Sequence, residues 1–206
     1  MEEELQKERL MNFWKKYRAV IIGGIILIIG VTVGNEIYRS WLTKTRLAES
    51  DQFEQAVLLN YTGNEDQSMA IYQNLADSAK TGYKYLAQMR LAQNALSHND
   101  MQQAGLILKN LMNDSGAPIE LRNVARLSFI GNQIDTLPTA ELQQELQPLL
   151  NSSNAFYGSA VELQAILLMK EKKLSEAKEV LTKAIGLPTL ANDEKDRLKE
   201  LLSIIQ

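Results

Sequence analysis

Apolar residues recur every three or four positions along most of the chain, a spacing that places them on one face of an α-helix. No stretch alternates apolar and polar residues for long enough to predict a β-strand. Clusters of turn-forming residues interrupt the helical pattern at 62–64, 81–82, 98–100, 113–118, 135–138, 151–154, 172–173 and 186–188. The pattern therefore predicts an all-α fold of consecutive helices joined by short loops.

Two stretches of the chain share one spacing of small and large apolar residues. In each stretch two alanines stand twelve residues apart, with further apolar residues four and seven positions later, and the stretches superpose at an offset of 73 residues. They contain Ala92, Ala104, Leu108 and Leu111, and Ala165, Ala177, Leu181 and Ala184. Small residues let two helices cross closely, as in the tetratricopeptide repeat of about 34 residues. The spacing favours a tetratricopeptide-repeat-like α-solenoid over a generic helical bundle, with weaker units near Ala56 and near Ala125.

One segment near the N-terminus departs from this amphipathic pattern. Residues 19–35 are 17 consecutive residues without a charge. As a helix they cover about 26 Å, slightly less than the hydrocarbon core of a bilayer. Trp14 and Tyr17 precede the run, and Tyr38 and Trp41 follow it, as aromatic residues do at the two membrane interfaces. The segment therefore predicts a single transmembrane helix, with flanks to about residue 41.

The charges around this segment predict its orientation. Five basic residues precede it within 1–18, whereas three follow it within 36–46, so the N-terminus is expected in the cytoplasm. The alternative is a cleaved signal peptide, which the long preceding segment and the absence of a good cleavage site disfavour. The predicted organisation is a cytoplasmic segment at 1–18, a signal anchor at 19–35 and a repeat domain at 42–206 beyond the membrane.

Three glycines lie on one face of the predicted anchor. Gly30 and Gly34 form a GxxxG pair, and Gly23 stands seven residues before Gly30. Small residues allow a second helix to approach closely in a membrane, so this face is a candidate contact with a partner span or a second copy of the chain. Glycine is also frequent in membrane helices without such a role.

Charge and composition exclude several classes of function. The 206 residues include 22 basic and 25 acidic ones, spread along the chain, so no basic stripe predicts binding to nucleic acid. The chain has no Cys and one His, His98, which excludes thiolate metal sites and catalytic cysteines. His98 belongs to a turn-type triplet, where a structural role is expected. We therefore expect no enzyme activity, no metal and no cofactor.

A solenoid of helix pairs offers an inner, concave face formed by the first helix of each pair. The side chains expected there combine methionine, aromatic and charged residues, which suit contacts with extended or partly unfolded segments. They are Phe53, Val57, Met89, Gln93, Leu96, Arg122, Arg126, Phe129, Glu162, Ile166 and Met169. For the apolar residues among them, a place in the core is the competing interpretation. Arg122 and Arg126 either hold an acidic partner or pair with acids of a neighbouring helix.

The whole chain resembles the YfgM-like family, the ancillary subunit of the bacterial Sec translocon. The residues that carry the resemblance are 12–17 before the anchor, Leu75-Ala76, Tyr83, Leu86-Ala87, Leu91-Ala92, Asn99-Asp100, Ala104, Glu162 to Ala165, Lys172-Lys173 and Ala177. Ala165 stands where the family often has Gly. The resemblance implies a single-pass protein of the bacterial inner membrane, with its repeat domain in the periplasm beside the translocon and periplasmic chaperones.

Together these patterns predict an anchored, non-enzymatic binding scaffold. Through its repeats it is expected to contact Sec translocon subunits, periplasmic chaperones or secreted client proteins. The alternative is a structural role, in which copies of the chain associate with one another and organise an envelope complex.

Overall fold

The computed structural model describes the backbone of residues 2–205. Side chains at 1–10, 12, 13, 15, 16, 19–21, 25, 26 and 206 lie outside the described residues, and with them most of the predicted cytoplasmic segment 1–18. Within the described backbone every regular element is helical. The α-helices are α1 (Glu2–Tyr61), α2 (Glu65–Ser78), α3 (Tyr83–Ser97), α4 (Met101–Asn113), α5 (Ile119–Gln133), α6 (Thr139–Leu146), α7 (Tyr157–Lys170), α8 (Leu174–Ile185) and α9 (Asn192–Ile204), with a 3-10 turn at Gln147–Leu149 after α6. The predicted all-α class is confirmed.

The chain divides into two compact units, Met1–Glu49 and Ser50–Gln206. The described residues of the first unit are helical and belong to α1. Among the described residues, one helix segment, Ile22–Tyr61, contains a stretch long and apolar enough to cross a membrane. Apolar side chains in the membrane-length stretch are exposed, as at Leu27 and Ile37, which each expose 66% of their area. A core helix of a soluble domain would instead bury such residues.

The second unit is built from helices that pack on their neighbours in chain order. The main contacts join α2 to α3, α3 to α4, α4 to α5, α7 to α8 and α8 to α9, and further contacts join α5 to α7 and α7 to α9. The alanines predicted to allow close helix crossing are buried, and Ala104, Ala165 and Ala177 expose none of their surface. Because a methyl group is small, the two backbones of a pair approach closely there. The large residues of the same pattern, such as Leu108 and Leu181, fill the adjoining core.

A recurring turn joins α1 to α2, α3 to α4 and α7 to α8, the two helices of a pair in each case. Its central residue has a positive φ angle of 80° at Gly63, 60° at Asn99 and 62° at Lys172. The next N–H then bonds to the carbonyl five residues earlier, from Asn64 to Leu59 (2.9 Å), from Asp100 to Ala95 (2.8 Å) and from Lys173 to Leu168 (2.9 Å). Asn99 and Lys172 are 73 residues apart, the same offset that relates the alanine patterns. This is the Schellman hydrogen bond that ends many helices at a left-handed residue.

Candidate partner-binding surface

The apolar residues predicted for the concave face lie largely in or against the core. Phe129 exposes 3% of its surface and belongs to the central hydrophobic cluster, so it is not available to a partner and the prediction was wrong for this side chain. Met89 and Met169 are half-buried and pack against the two main clusters. Phe53 and Val57 pack against a third cluster under α2. The phenylalanine ring lies 5.2 Å from the ring of Tyr72, measured between centroids.

A smaller group of the predicted residues reaches solvent. Gln93 is exposed, and Leu96, Arg122, Glu162 and Ile166 are half-buried. Arg122 donates through Nε to the carbonyl of Met112, at 3.4 Å. Glu162 accepts a hydrogen bond from Nε of Arg197 on α9, at 3.3 Å. Among the described residues of this face, Leu96 and Ile166 are the half-buried apolar side chains that belong to none of the three hydrophobic clusters.

Arg126 pairs inside the fold. Its guanidinium forms a short ion pair with the carboxylate of Glu145 on α6 and also donates to the Glu145 carbonyl, at 3.3 Å. The side chains of Arg126 and Glu145 expose only 13% and 24% of their area. Of the two roles that the sequence left open for this arginine, the structure therefore contains the pairing with a neighbouring helix.

A cavity of about 200 Å³ between α2 and α3 includes the exposed Gln93. Arg90 donates to the Gln93 amide oxygen at 3.2 Å, and Asn94 donates to Glu65 in a short hydrogen bond. Burial raises the pKa of the Tyr72 phenol at the same cavity, an effect that nearby Arg90 and a hydrogen bond with Ser68 partly offset. The side chains of Arg90, Gln93, Asn94 and Glu65 thus already pair with one another within the fold.

His98 lies at the turn after α3, where the sequence predicts a structural role. Its Nδ1 atom is 3.0 Å from the carbonyl oxygen of Asn94, and Nε2 is 3.7 Å from the carboxylate of Glu65. Asp100 in the same turn accepts a hydrogen bond from the Gln103 N–H, at 2.9 Å, and caps α4. The residues of this triplet therefore end one helix and begin the next.

The glycines of the predicted membrane contact lie on α1. Gly23, Gly30 and Gly34 are exposed, and a methyl group added at any of them would meet no atom within 4 Å. Close approach of a second helix at this face stays a prediction.

Two surface grooves lie away from the predicted residues. The α4 groove, of about 200 Å³, lies between α2, α3 and α4, and the α8 groove, of about 310 Å³, lies between α6, α7 and α8. Six lining positions correspond at the offset of 73 residues. They are Gln73, Asp77, Leu91, Gln103, Leu106 and Ile107 in the α4 groove and Leu146, Leu150, Gln164, Glu176, Glu179 and Val180 in the α8 groove. The polar residues at these positions gave no sequence signal, because polar side chains on a helix face are normally just solvated.

Comparison with known families decides how the helical pattern is classified. A family model described as a tetratricopeptide repeat-like domain matches residues 11–203. The chain belongs to this family. No curated protein and no solved structure matches the chain in the corresponding searches. The predicted tetratricopeptide-repeat-like solenoid is therefore confirmed, and contact with other proteins is the general role that this family supports.

Proposed function

We propose that this chain is a membrane-anchored binding scaffold of the bacterial inner membrane. Its N-terminus lies in the cytoplasm, and its tetratricopeptide repeat-like unit lies in the periplasm. There it associates with the Sec translocon and contacts secreted proteins or periplasmic chaperones.

The observation that carries this proposal is that a single chain combines an exposed apolar helix with a tetratricopeptide repeat-like unit. The helix stretch within Ile22–Tyr61 has the length and composition of a membrane span, and the repeat-like family match covers residues 11–203. An anchored repeat unit has its binding faces confined to the membrane surface, which raises its effective concentration near a membrane-embedded partner. The excess of basic residues before the span supports the proposed orientation.

Photocrosslinking in intact bacterial membranes tests the proposed contact. Photoreactive residues replace Leu96 and Ile166, because both are half-buried apolar side chains of the predicted face, and Gly30 on the anchor. Lys178, exposed on α8 outside this face, is the control position. We expect adducts with translocon subunits, chaperones or secreted chains at the test positions and none at Lys178. Adducts only between copies of this chain would overturn the proposal in favour of the self-associating organiser.

Topology provides a second, simpler test. A reporter enzyme that is active only outside the cytoplasm, fused after Gln206, is expected to be active. Activity of a cytoplasmic reporter at the same position would contradict the periplasmic placement of the repeat-like unit.

A further inference from the structure

The α4 and α8 grooves share one construction. The α4 groove lies between α2 and α4, and α3 forms part of its floor. The α8 groove lies between α6 and α8, and α7 forms part of its floor. In both grooves the two flanking helices are the second helices of their pairs. Leu91 and Ile107 supply apolar surface in the α4 groove, and Leu150 and Val180 do so in the α8 groove. Gln164 lines the α8 groove, whereas Glu162 and Ile166 belong to the predicted concave face. Two residues along a helix correspond to a rotation of about 200°, so Gln164 lies on a different side of α7 from those two residues.

The charged side chains that line the two grooves are mainly acidic. Asp77 lines the α4 groove, and Glu176 and Glu179 line the α8 groove. The cation among the lining residues is Lys173, whose ammonium group lies 2.7 Å from the carboxylate of Glu171. The hydrogen bond to Glu171 and the charge of Glu171 raise the pKa of Lys173 above its ordinary value, and the charge of Glu176 contributes less. Among the described residues, Glu176 and Glu179 have no cationic group within 4 Å. The grooves therefore present net negative charge to an occupant.

The grooves also present hydrogen-bonding groups without internal partners. The side-chain oxygen of Gln88 in the α4 groove is buried and accepts no hydrogen bond within the described structure. Gln103 lines the same groove, and Gln147 and Gln164 line the α8 groove. A buried acceptor is favourable only when a donor reaches it. Because a helix uses its N–H groups internally, an extended chain is the form of polypeptide that offers backbone donors along its length.

We propose that the α4 and α8 grooves bind extended, basic polypeptide segments. Lysine or arginine side chains of the segment pair with Asp77, Glu176 and Glu179, and a backbone N–H donates to the Gln88 side-chain oxygen. Apolar side chains of the segment contact the leucine and isoleucine floor. This surface is separate from the concave face and needs neither the membrane nor the translocon.

Peptide binding to the purified full-length chain in non-ionic detergent tests this proposal. The probes are three short fluorescent peptides of equal length, in which threonine alternates with lysine, with glutamine or with glutamate. We expect the lysine peptide to bind most tightly and its affinity to fall as salt rises, because exposed ion pairs are screened. Equal affinity for the lysine and glutamate peptides would overturn the proposal.

Charge-matched variants locate the binding. The double variant Glu176→Gln/Glu179→Gln is expected to weaken binding of the lysine peptide by about threefold to tenfold, from the loss of two exposed pairs. The control Glu54→Gln/Glu120→Gln removes the same charge at exposed residues outside both grooves and is expected to change affinity by less than about twofold. An equal loss in both double variants would mean a general charge effect and would contradict the assignment.

Gln88→Met tests the hydrogen-bonding part of the proposal at nearly constant side-chain volume. The variant is expected to weaken peptide binding while the helix content of the protein stays the same, as measured by circular dichroism. Unchanged binding by Gln88→Met would overturn the role of the Gln88 side-chain oxygen.

Because all of these binding measurements omit the translocon, a negative result leaves the anchored-scaffold proposal standing. Crosslinking in membranes tests that proposal separately.

Discussion

The left-handed residues at the recurring turns differ in how well they suit their backbone. Gly63 has no Cβ and adopts a φ of 80° without steric cost. Asn99 tolerates the same region because asparagine adopts left-handed backbone angles at lower cost than most residues. Lys172, at a φ of 62°, has neither advantage. The turn after α7 therefore contains strain that the other two turns avoid.

Replacing Lys172 by glycine is expected to raise the free energy of unfolding by about 0.5–1 kcal/mol, since removal of the left-handed strain outweighs the added freedom of the unfolded chain. Asn99→Gly is expected to change it by less than about 0.5 kcal/mol. Lys178→Gly, in the middle of α8, is the control and should lower it by about 1 kcal/mol. Urea unfolding of the full chain in mild detergent measures these differences. A loss for Lys172→Gly as large as that for Lys178→Gly would contradict the strain at this turn.

The buried phenol of Tyr72 makes stability depend on alkaline pH. Burial raises its pKa above the ordinary value of 10.0, against smaller lowering effects of Arg90 and Ser68. The unfolded chain therefore releases this proton first, and the free energy of unfolding falls as pH rises above about 10. Below that pH both states keep the proton and Tyr72 adds no pH dependence.

Urea unfolding between about pH 9 and pH 11.5 measures this decline. The Tyr72→Phe variant has no proton to lose at this position, so its unfolding free energy is expected to fall less steeply than that of the unmodified chain. Tyr61→Phe is the control, because Tyr61 exposes 86% of its surface. Equal slopes for Tyr72→Phe and the unmodified chain would contradict the assignment.

Helix α6 is the shortest α-helix of the second unit. It has eight residues and continues into a 3-10 turn, and its buried residues are Leu142 and Leu146. Isolated helices of this length are not stable in water, so tertiary contacts hold it in place. The pair of Arg126 and Glu145 joins it to α5.

Arg126→Met is expected to lower the free energy of unfolding by about 1–3 kcal/mol, because it leaves the Glu145 carboxylate half-buried without a cation. The double variant Arg126→Met/Glu145→Met should recover part of this loss, since no unpaired charge remains. Lys199→Met removes the exposed pair with Asp196 on α9 and should cost at most about 0.5 kcal/mol. A double variant as unstable as Arg126→Met would mean that lost packing, rather than the unpaired carboxylate, explains the effect.

At the scale of the whole molecule, periodicity and turn chemistry predicted the helices and their breaks. The interruptions at 98–100 and 172–173 are observed turns, because the left-handed residues there end a helix through local hydrogen bonds. The burial of the alanines was predicted from their spacing of twelve residues, which is typical of helices that cross closely.

The surface was harder to predict than the helices. Phe129 was expected on a binding face, but it is buried, because periodicity alone does not tell which neighbour covers an apolar side chain. The α4 and α8 grooves were not predicted, since each combines residues from three helices and its shape depends on how these helices pack. For Arg126 the sequence left two roles open, an acidic partner or an acid of a neighbouring helix, and only packing could place it beside Glu145.

The packing of each helix on neighbours one or two places away has a consequence for how the second unit folds. Contacting residues are separated by short stretches of chain, so little loop entropy is lost before each contact forms. Low contact order of this kind is associated with fast folding. Because folding of a repeat array can begin at any helix pair and spread to the next, a segment emerging in an unfolded state can acquire structure before its C-terminal helices are present.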